Sequence, residues 1–412
     1  MGETVREIGV HPAGIVKHRH LSRRRPIVSE LPHRVYPVDP WAIVETQFTP
    51  QLTELLETVF ALGNGCVGVR GSFHQGSPAH QPGALINGFY ESWPIVYPES
   101  AFGFATAGQT IVYVPDSSES VVWVNGERID YSSPTIADWE RRLDFRQGTL
   151  VHRYRWRTED GIGVEVRSTR LVSVARHDLV ASRLEVSVDA DAEIEIRSGL
   201  VNRQDTDYLE PAATELDPRR ARNFERRVLE PTDLRVRTEM ISASYETVRS
   251  RLRLAVSLAQ QVDQPVDATS EEHPDHPWTH FRARLTDGET LTLDKFTVYH
   301  AGNARGIDHT EDEASMVSRA GFEAAAKAHN SAWDEFWDLA DIHVGTDEAV
   351  QQATRWILLQ LNQASAQIDG TGIAAKGVTG QAYEGHYFWD TEVFVLPFLL
   401  YTRPEVAAGL LR

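Results

Sequence analysis

Residues 376–398 carry the densest chemistry in this chain. Three glycines (Gly377, Gly380, Gly385) make an irregular loop, Asp390 follows directly on Trp389, and an apolar run comes after them. A pyranose presents hydroxyls around its rim and C–H groups on its faces. A carboxylate accepts paired hydrogen bonds from neighbouring hydroxyls, and an indole offers a flat apolar wall. The same residues read equally well as a core tryptophan and an aspartate capping a helix. Glycosidic cleavage also needs a proton donor on the leaving oxygen and a nucleophile at the anomeric carbon. Asp390 and Glu392 make a poor pair for this. If 389–400 is helical, they stand roughly 200° apart, at about 100° per residue. At most one of them faces a substrate, and Glu384 is the remaining nearby carboxylate.

Other motifs carry less. Gly63-Asn64-Gly65-Cys66-Val67-Gly68 matches the spacing of a dinucleotide fingerprint. The residues after it, 69–83, are rich in glycine and proline and cannot form the helix that holds a pyrophosphate. The glycines read instead as tight turns at a domain contact. His273, His276 and His280 are close in sequence, but Pro274 and Pro277 break any helix that would align them as metal ligands, so the three read as incidental histidines in a loop. No Gly-x-Ser-x-Gly elbow is present, and Cys66 has no local histidine partner.

The elements that must position residues 376–398 can be read from periodicity. Between about 40 and 300 the chain alternates with period two. Tyr154 and Trp156 are flanked by Arg153, Arg155 and Arg157, Leu184 to Val188 and Ile194 to Ile196 repeat the pattern, and Leu252 to Leu258 does so again. Such alternation marks antiparallel strands with one face packed. Asn125-Gly126 and Asp160-Gly161 are hairpin signals. After about Asp308 the step becomes three or four. Phe322, Ala326, His329, Trp333, Phe336 and Ala340 form one helical stripe, and Val350, Ala353, Ile357, Leu361, Ala364 and Ile368 form another, with Thr346 as its N-cap. The expectation is an N-terminal arm (1–40), a large antiparallel β-sandwich (41–305), a helical linker (306–345) and the first helices of a helical domain (346–412). Residues 394–400 are apolar on every side and demand neighbours all round. Thr402, Pro404 and Glu405 open a further helix, yet too few helices come after it to cover the segment, so the chain reads as the front part of a longer protein or as a domain that needs a partner.

Composition bounds the function. The 412 residues carry a net charge of −18, which disfavours nucleic acid and anionic membranes as partners. One cysteine excludes an intrachain disulfide framework and suits a reducing compartment. No run approaches the ~18 apolar residues of a membrane span. The basic arm (Lys17, Arg19, Arg23, Arg24, Arg25) lacks the apolar segment of a secretory signal and reads as solvated. A cytoplasmic location is expected.

From Thr46 onward the chain resembles the N-terminal portion of glycoside hydrolase family 65, which contains maltose, trehalose and kojibiose phosphorylases and related hydrolases. The resemblance rests on residues 62–65 through 69–71, then Gly88-Phe89-Tyr90-Glu91, Leu143-Asp144-Phe145-Arg146 with Gly148, Trp333 and Trp337, and above all 377–380 through 385–392. It implies a β-sandwich, a helical linker and an (α/α)6 barrel that is incomplete here. It implies that Phe388 and Trp389 shape the slot for the non-reducing glucose and that Asp390 binds its hydroxyls. The family's acid and phosphate ligands lie further along, so the resemblance assigns no catalytic residue to this chain and implies that it is inactive alone. It further implies a disaccharide substrate, inorganic phosphate as co-substrate, no metal or organic cofactor, and a homodimer. The contrasting reading from another class is a non-catalytic carbohydrate-binding or scaffolding fragment.

Overall fold

The computed structural model describes residues 32–411 apart from 97–98, 100, 205–223, 225, 303–305, 346 and 366–371. Most of the arm, the expected cap Thr346 and the stripe residue Ile368 lie outside the described residues. The β region forms three antiparallel sheets. The largest has ten strands, in the spatial order Val38–Asp39, Ala42–Glu45, Ala137–Asp144, Thr149–Arg157, Gly163–Val172, Leu179–Val188, Thr290–Ala301, Arg253–Val262, Met240–Thr247 and Leu229–Arg237. A five-stranded sheet (Asp267–Glu271, Trp278–Leu285, Ala192–Gly199, Ser120–Val124, Glu127–Arg128) covers one part of its inner face. A four-stranded sheet (Leu62–Gly63, Val67–Val69, Ala84–Pro94, Ala107–Val114) covers another part.

The alternating segments fold as their pattern dictates. Tyr154 and Trp156 are buried between the ten- and five-stranded sheets, with Arg153, Arg155 and Arg157 in water. Asn125 and Gly126 turn the hairpin with φ of 49° and 80°, the left-handed pair that a two-residue turn requires. The 252–258 segment differs from its expected one-sided burial. Ala255, Ser257 and Ala259 are buried along with Leu254, Val256 and Leu258. The reason is the helix Ile307–Ala320, which lies on the outer face, with the Thr310 hydroxyl 2.7 Å from that of Ser257. Small residues on that face let the helix approach closely.

The helix Phe322–Ala340 buries the expected stripe: Phe322, His329, Trp333, Phe336 and Ala340 all face inward. It seats on the turn after Ala137–Asp144. Phe145 O accepts a hydrogen bond from Trp337 Nε1 at 2.8 Å, and Gln147 O lies 2.7 Å from His329 Nε2. Gly148 has a φ of 56°, and a Cβ there would meet the Trp333 indole.

The next helix, Glu348–Ser365, is turned the other way from expectation. Val350 and Ile357 are exposed, and the inward face is Gln351, Arg355, Leu358, Leu359, Asn362 and Gln363. Polar anchoring decides this. Arg355 forms a two-pronged pair with Asp341, both contacts at 2.8 Å, and lies 3.6 Å over the Trp41 ring. Gln352 donates to Ala42 O at 2.6 Å. Asp347 caps the helix through the amides of Ala349 and Val350.

The stretch after Asp390 is not a plain α-helix. Thr391–Val395 forms a π turn, then Leu396–Thr402 and Pro404–Leu410 are α-helical. Pro397, which has no N–H to donate, sits at the start of the first α-helix. Phe394 and Leu400 are exposed, against the all-round burial their composition demands. No helix among the described residues is long and apolar enough to cross a membrane.

Candidate functional site

The sequence-predicted residues Phe388, Trp389 and Asp390 lie together at the entry to the π turn, and all three are exposed. The Phe388 ring meets Tyr383 edge-on at 5.4 Å between centroids, and the Trp389 ring lies 6.3 Å from Phe394. Asp390 stands at the cap position with helical backbone, and its carboxylate makes no capping bond. The alternative reading of this pair, a core tryptophan with a capping aspartate, is not realised. Trp389 is 65% exposed. Glu392 is also exposed.

The loop before the triplet is rigidly docked on the four-stranded sheet. Thr110 donates to the carboxylate of Glu384. The Tyr90 hydroxyl donates to Gly385 O at 2.7 Å, and the Tyr90 ring stacks on His386 at 5.2 Å and 12°. His386 Nε2 lies 2.7 Å from Gln109 O, and Gln381 donates to Ile111 O at 2.8 Å. Arg70 reaches Thr379 O at 2.9 Å while pairing with buried Glu57. Val378 is buried against Leu85 and Ile111. Tyr383 and Glu384 hold φ of 56° and 60°. Non-glycine residues rarely sit there unless their surroundings hold them. Glu384 is thus a docking carboxylate rather than a partner for Asp390.

The glycine-rich motif at 63–68 takes part in the same contact. Asn64 accepts from the amides of Cys66 and Val67 and donates to Ser173 O and His177 O, which closes a tight turn with Gly65 at φ 91°. Val378 passes so close over Gly68 that a Cβ there would overlap its carbonyl. Glu91, buried, accepts the amides of Arg249 and Ser250 at 2.9 and 2.8 Å and ties a distant turn to the sheet. These contacts escaped sequence reasoning because most run to backbone carbonyls. The only sequence signal was the crowding of glycines around them.

The three histidines are otherwise engaged. The His273 and His276 rings stack at 3.5 Å, while His280 lies in a strand between Glu195 and Glu271. This corrects the expectation of a loop at His280. Among the described residues no group of three His, Cys, Asp or Glu side chains could hold a metal ion. Buried ionisable groups sit inside the sandwich and under the helix Phe322–Ala340. Desolvation pushes His74 and His329 down to about 4 and holds His152 well below the usual histidine range. Lys295, pushed down to about 7 by burial, donates to Ser117 O and Glu119 O, both at 2.6 Å.

Comparison with known proteins agrees with this architecture. Residues 43–336 match the model of the glycosyl hydrolase family 65 N-terminal domain, and residues 355–412 match that of the family 65 central catalytic domain. An uncharacterised glycosyl hydrolase of Mycobacterium tuberculosis is 35% identical over 384 residues, which is 92% of this chain and 48% of that protein. An α,α-trehalose phosphorylase of Thermoanaerobacter brockii is 32% identical over 393 residues, covering 91% and 49%. A kojibiose phosphorylase of Escherichia coli is 29% identical over 385 residues, covering 90% and 47%. A solved protein from the human microbiome, assigned as a kojibiose phosphorylase, superposes with a TM-score of 0.80 at 21% identity, over 92% of this chain and 49% of its own. The chain spans about half the length of the curated relatives it matches. With a family model matching most of its length, the chain belongs to glycoside hydrolase family 65.

Proposed function

We propose that this protein acts on an α-glucosidic disaccharide such as trehalose, kojibiose or maltose, and that Phe388, Trp389 and Asp390 hold its non-reducing glucose. The observation that carries this reading is the exposed Trp389 ring next to an uncapped Asp390 carboxylate, in a family 65 chain whose relatives include named trehalose and kojibiose phosphorylases. A large ring in water invites a covering partner, and a carboxylate with free lone pairs suits vicinal hydroxyls. The helices from 348 onward are then the opening helices of an (α/α)6 barrel. Residues 41–305 form the sandwich, 306–345 the linker and 346–412 the start of the catalytic domain.

The reaction is a single displacement with inversion. A proton donor protonates the glycosidic oxygen as the C1–O bond breaks, and phosphate attacks C1 from the opposite face to give a glucose 1-phosphate. Phosphate is already an anion and needs no activation, whereas water would need a base. Neither Asp390 nor Glu392 is assigned as the acid. No metal or organic cofactor enters this scheme.

Calorimetric titration of the 412-residue chain with glucose tests the sugar grip. Saturable heat that disappears in Asp390→Ala and falls in Trp389→Ala supports it. Equal heat in all three chains refutes the assignment of the triplet. The isolated chain is expected to release no glucose 1-phosphate from trehalose or kojibiose with phosphate, and robust release would place the acid within residues 1–412.

A further inference from the structure

We infer that the four-stranded sheet of the sandwich, through Thr110 and Tyr90, positions the Phe388-Trp389-Asp390 triplet for sugar binding. This rests on the sugar-grip reading above. Thr110 and Tyr90 sit on neighbouring strands, where Tyr90 is paired with Ile111. Both reach across to a loop about 270–300 residues later in the chain: Thr110 holds the Glu384 carboxylate, and Tyr90 holds Gly385 O and the face of His386. His386 is fixed a second time by Gln109 O. Only Tyr387 separates that fixed ring from the triplet.

Two features go beyond ordinary packing. Tyr383 and Glu384 are consecutive non-glycine residues with left-handed backbone, and such strain persists where surroundings over-determine it. Gly385 also has a φ of 75°, and a Cβ there would strike Ile111. The loop therefore lies close against the sheet just before the exposed rings begin. The triplet itself has few contacts of its own, with Trp389 touching Phe394 and Phe388 touching Tyr383. Its placement is therefore set from the sheet, through the docked loop. Thr110 and Tyr90 are positioning residues that touch no sugar.

The test uses the 412-residue chain with Thr110→Val, Thr110→Ser and Tyr90→Phe, read by hydrogen exchange across 386–395 and by glucose titration. Thr110→Val should speed exchange in that segment by at least ~10-fold, the factor for losing one hydrogen bond to a charged group. It should also weaken glucose binding several-fold. Thr110→Ser keeps the hydroxyl and should restore both, and Tyr90→Phe should fall between. Unchanged exchange in Thr110→Val overturns the inference, as does faster exchange with unchanged glucose affinity. If the unaltered chain binds no glucose, the sugar reading fails, while the exchange measurement still decides whether the sheet fixes the segment.

Discussion

Gly68→Ala isolates the contact between the sandwich and the loop that leads to the triplet. Gly68 pairs with Gly63 and Leu85 in regular ladders, and its backbone lies outside the left-handed region, so alanine is acceptable to the strand itself. The obstacle lies opposite. The new Cβ would stand 1.6 Å from Val378 O and 2.4 Å from Val378 C, both backbone atoms that cannot swing aside. Relief requires the 377–380 segment to move by well over an ångström. That motion breaks the Arg70 bond to Thr379 O and lifts Val378 from Leu85 and Ile111. A hydrogen bond from a charged group contributes about 1.5–3 kcal/mol and a buried valine about as much, so the loop loses about 3–6 kcal/mol of docking energy. The strand cores keep their own contacts, so the loss appears as local release. Hydrogen exchange by mass spectrometry should show residues 372–386 losing protection by two orders of magnitude or more, with the Thr149–Arg157 strand unaffected. Protection of 372–386 equal to that of the unaltered chain would refute the reasoning, since it would mean that the loop does not rest on Gly68.

Gly148→Ala should lower the melting temperature by several degrees. Its φ of 56° strains alanine, and its Cβ would lie 2.1 Å from Trp333 Nε1, under the helix Phe322–Ala340. Glu91→Ala leaves the amides of Arg249 and Ser250 without their acceptor in a buried site, and urea unfolding should show a loss of about 1–3 kcal/mol. Stability should also fall with acid. His74 and His329 bind protons only near pH 4 when folded, whereas the unfolded chain takes them up near 6.5. The unfolded state therefore holds more protons between those values, and each histidine costs about 1.4 kcal/mol per pH unit as pH drops through that window. Urea midpoints at pH 7, 6 and 5 check this. His329→Gln should flatten the decline, and a level profile would contradict the burial of neutral imidazoles.

Much of the β architecture was legible because one-sided burial writes itself as alternation. Tyr154 and Trp156 among arginines, and Asn125-Gly126 between Val121–Val124 and Ile129, need no tertiary information. The stripe from Phe322 to Ala340 was legible for the same reason, since its helix lies on a surface with one apolar side. The helix Glu348–Ser365 defies its apolar stripe because its orientation is decided by Arg355 with Asp341 and Trp41, and by Gln352 with Ala42 O. Polar groups that anchor through backbone carbonyls look, in a sequence, like solvent-facing residues. The segment 252–258 misleads because alanines and serines under a helix mimic the polar face of a strand. At the candidate site the triplet was visible as residue types. The docking that holds it was not, because Thr110, Gln109 and Tyr90 meet their partners across separations of 274, 277 and 295 residues.

The central claim is that Trp389 and Asp390 together grip a hexose. The most direct measurement is the indole N–H resonance of Trp389 in the 412-residue chain, identified by its disappearance in Trp389→Phe and followed as glucose is added. A saturable shift confined to that indole, abolished by Asp390→Asn, is the predicted result. An indole that stays in place at saturating glucose, or that shifts identically in Asp390→Asn, contradicts the account.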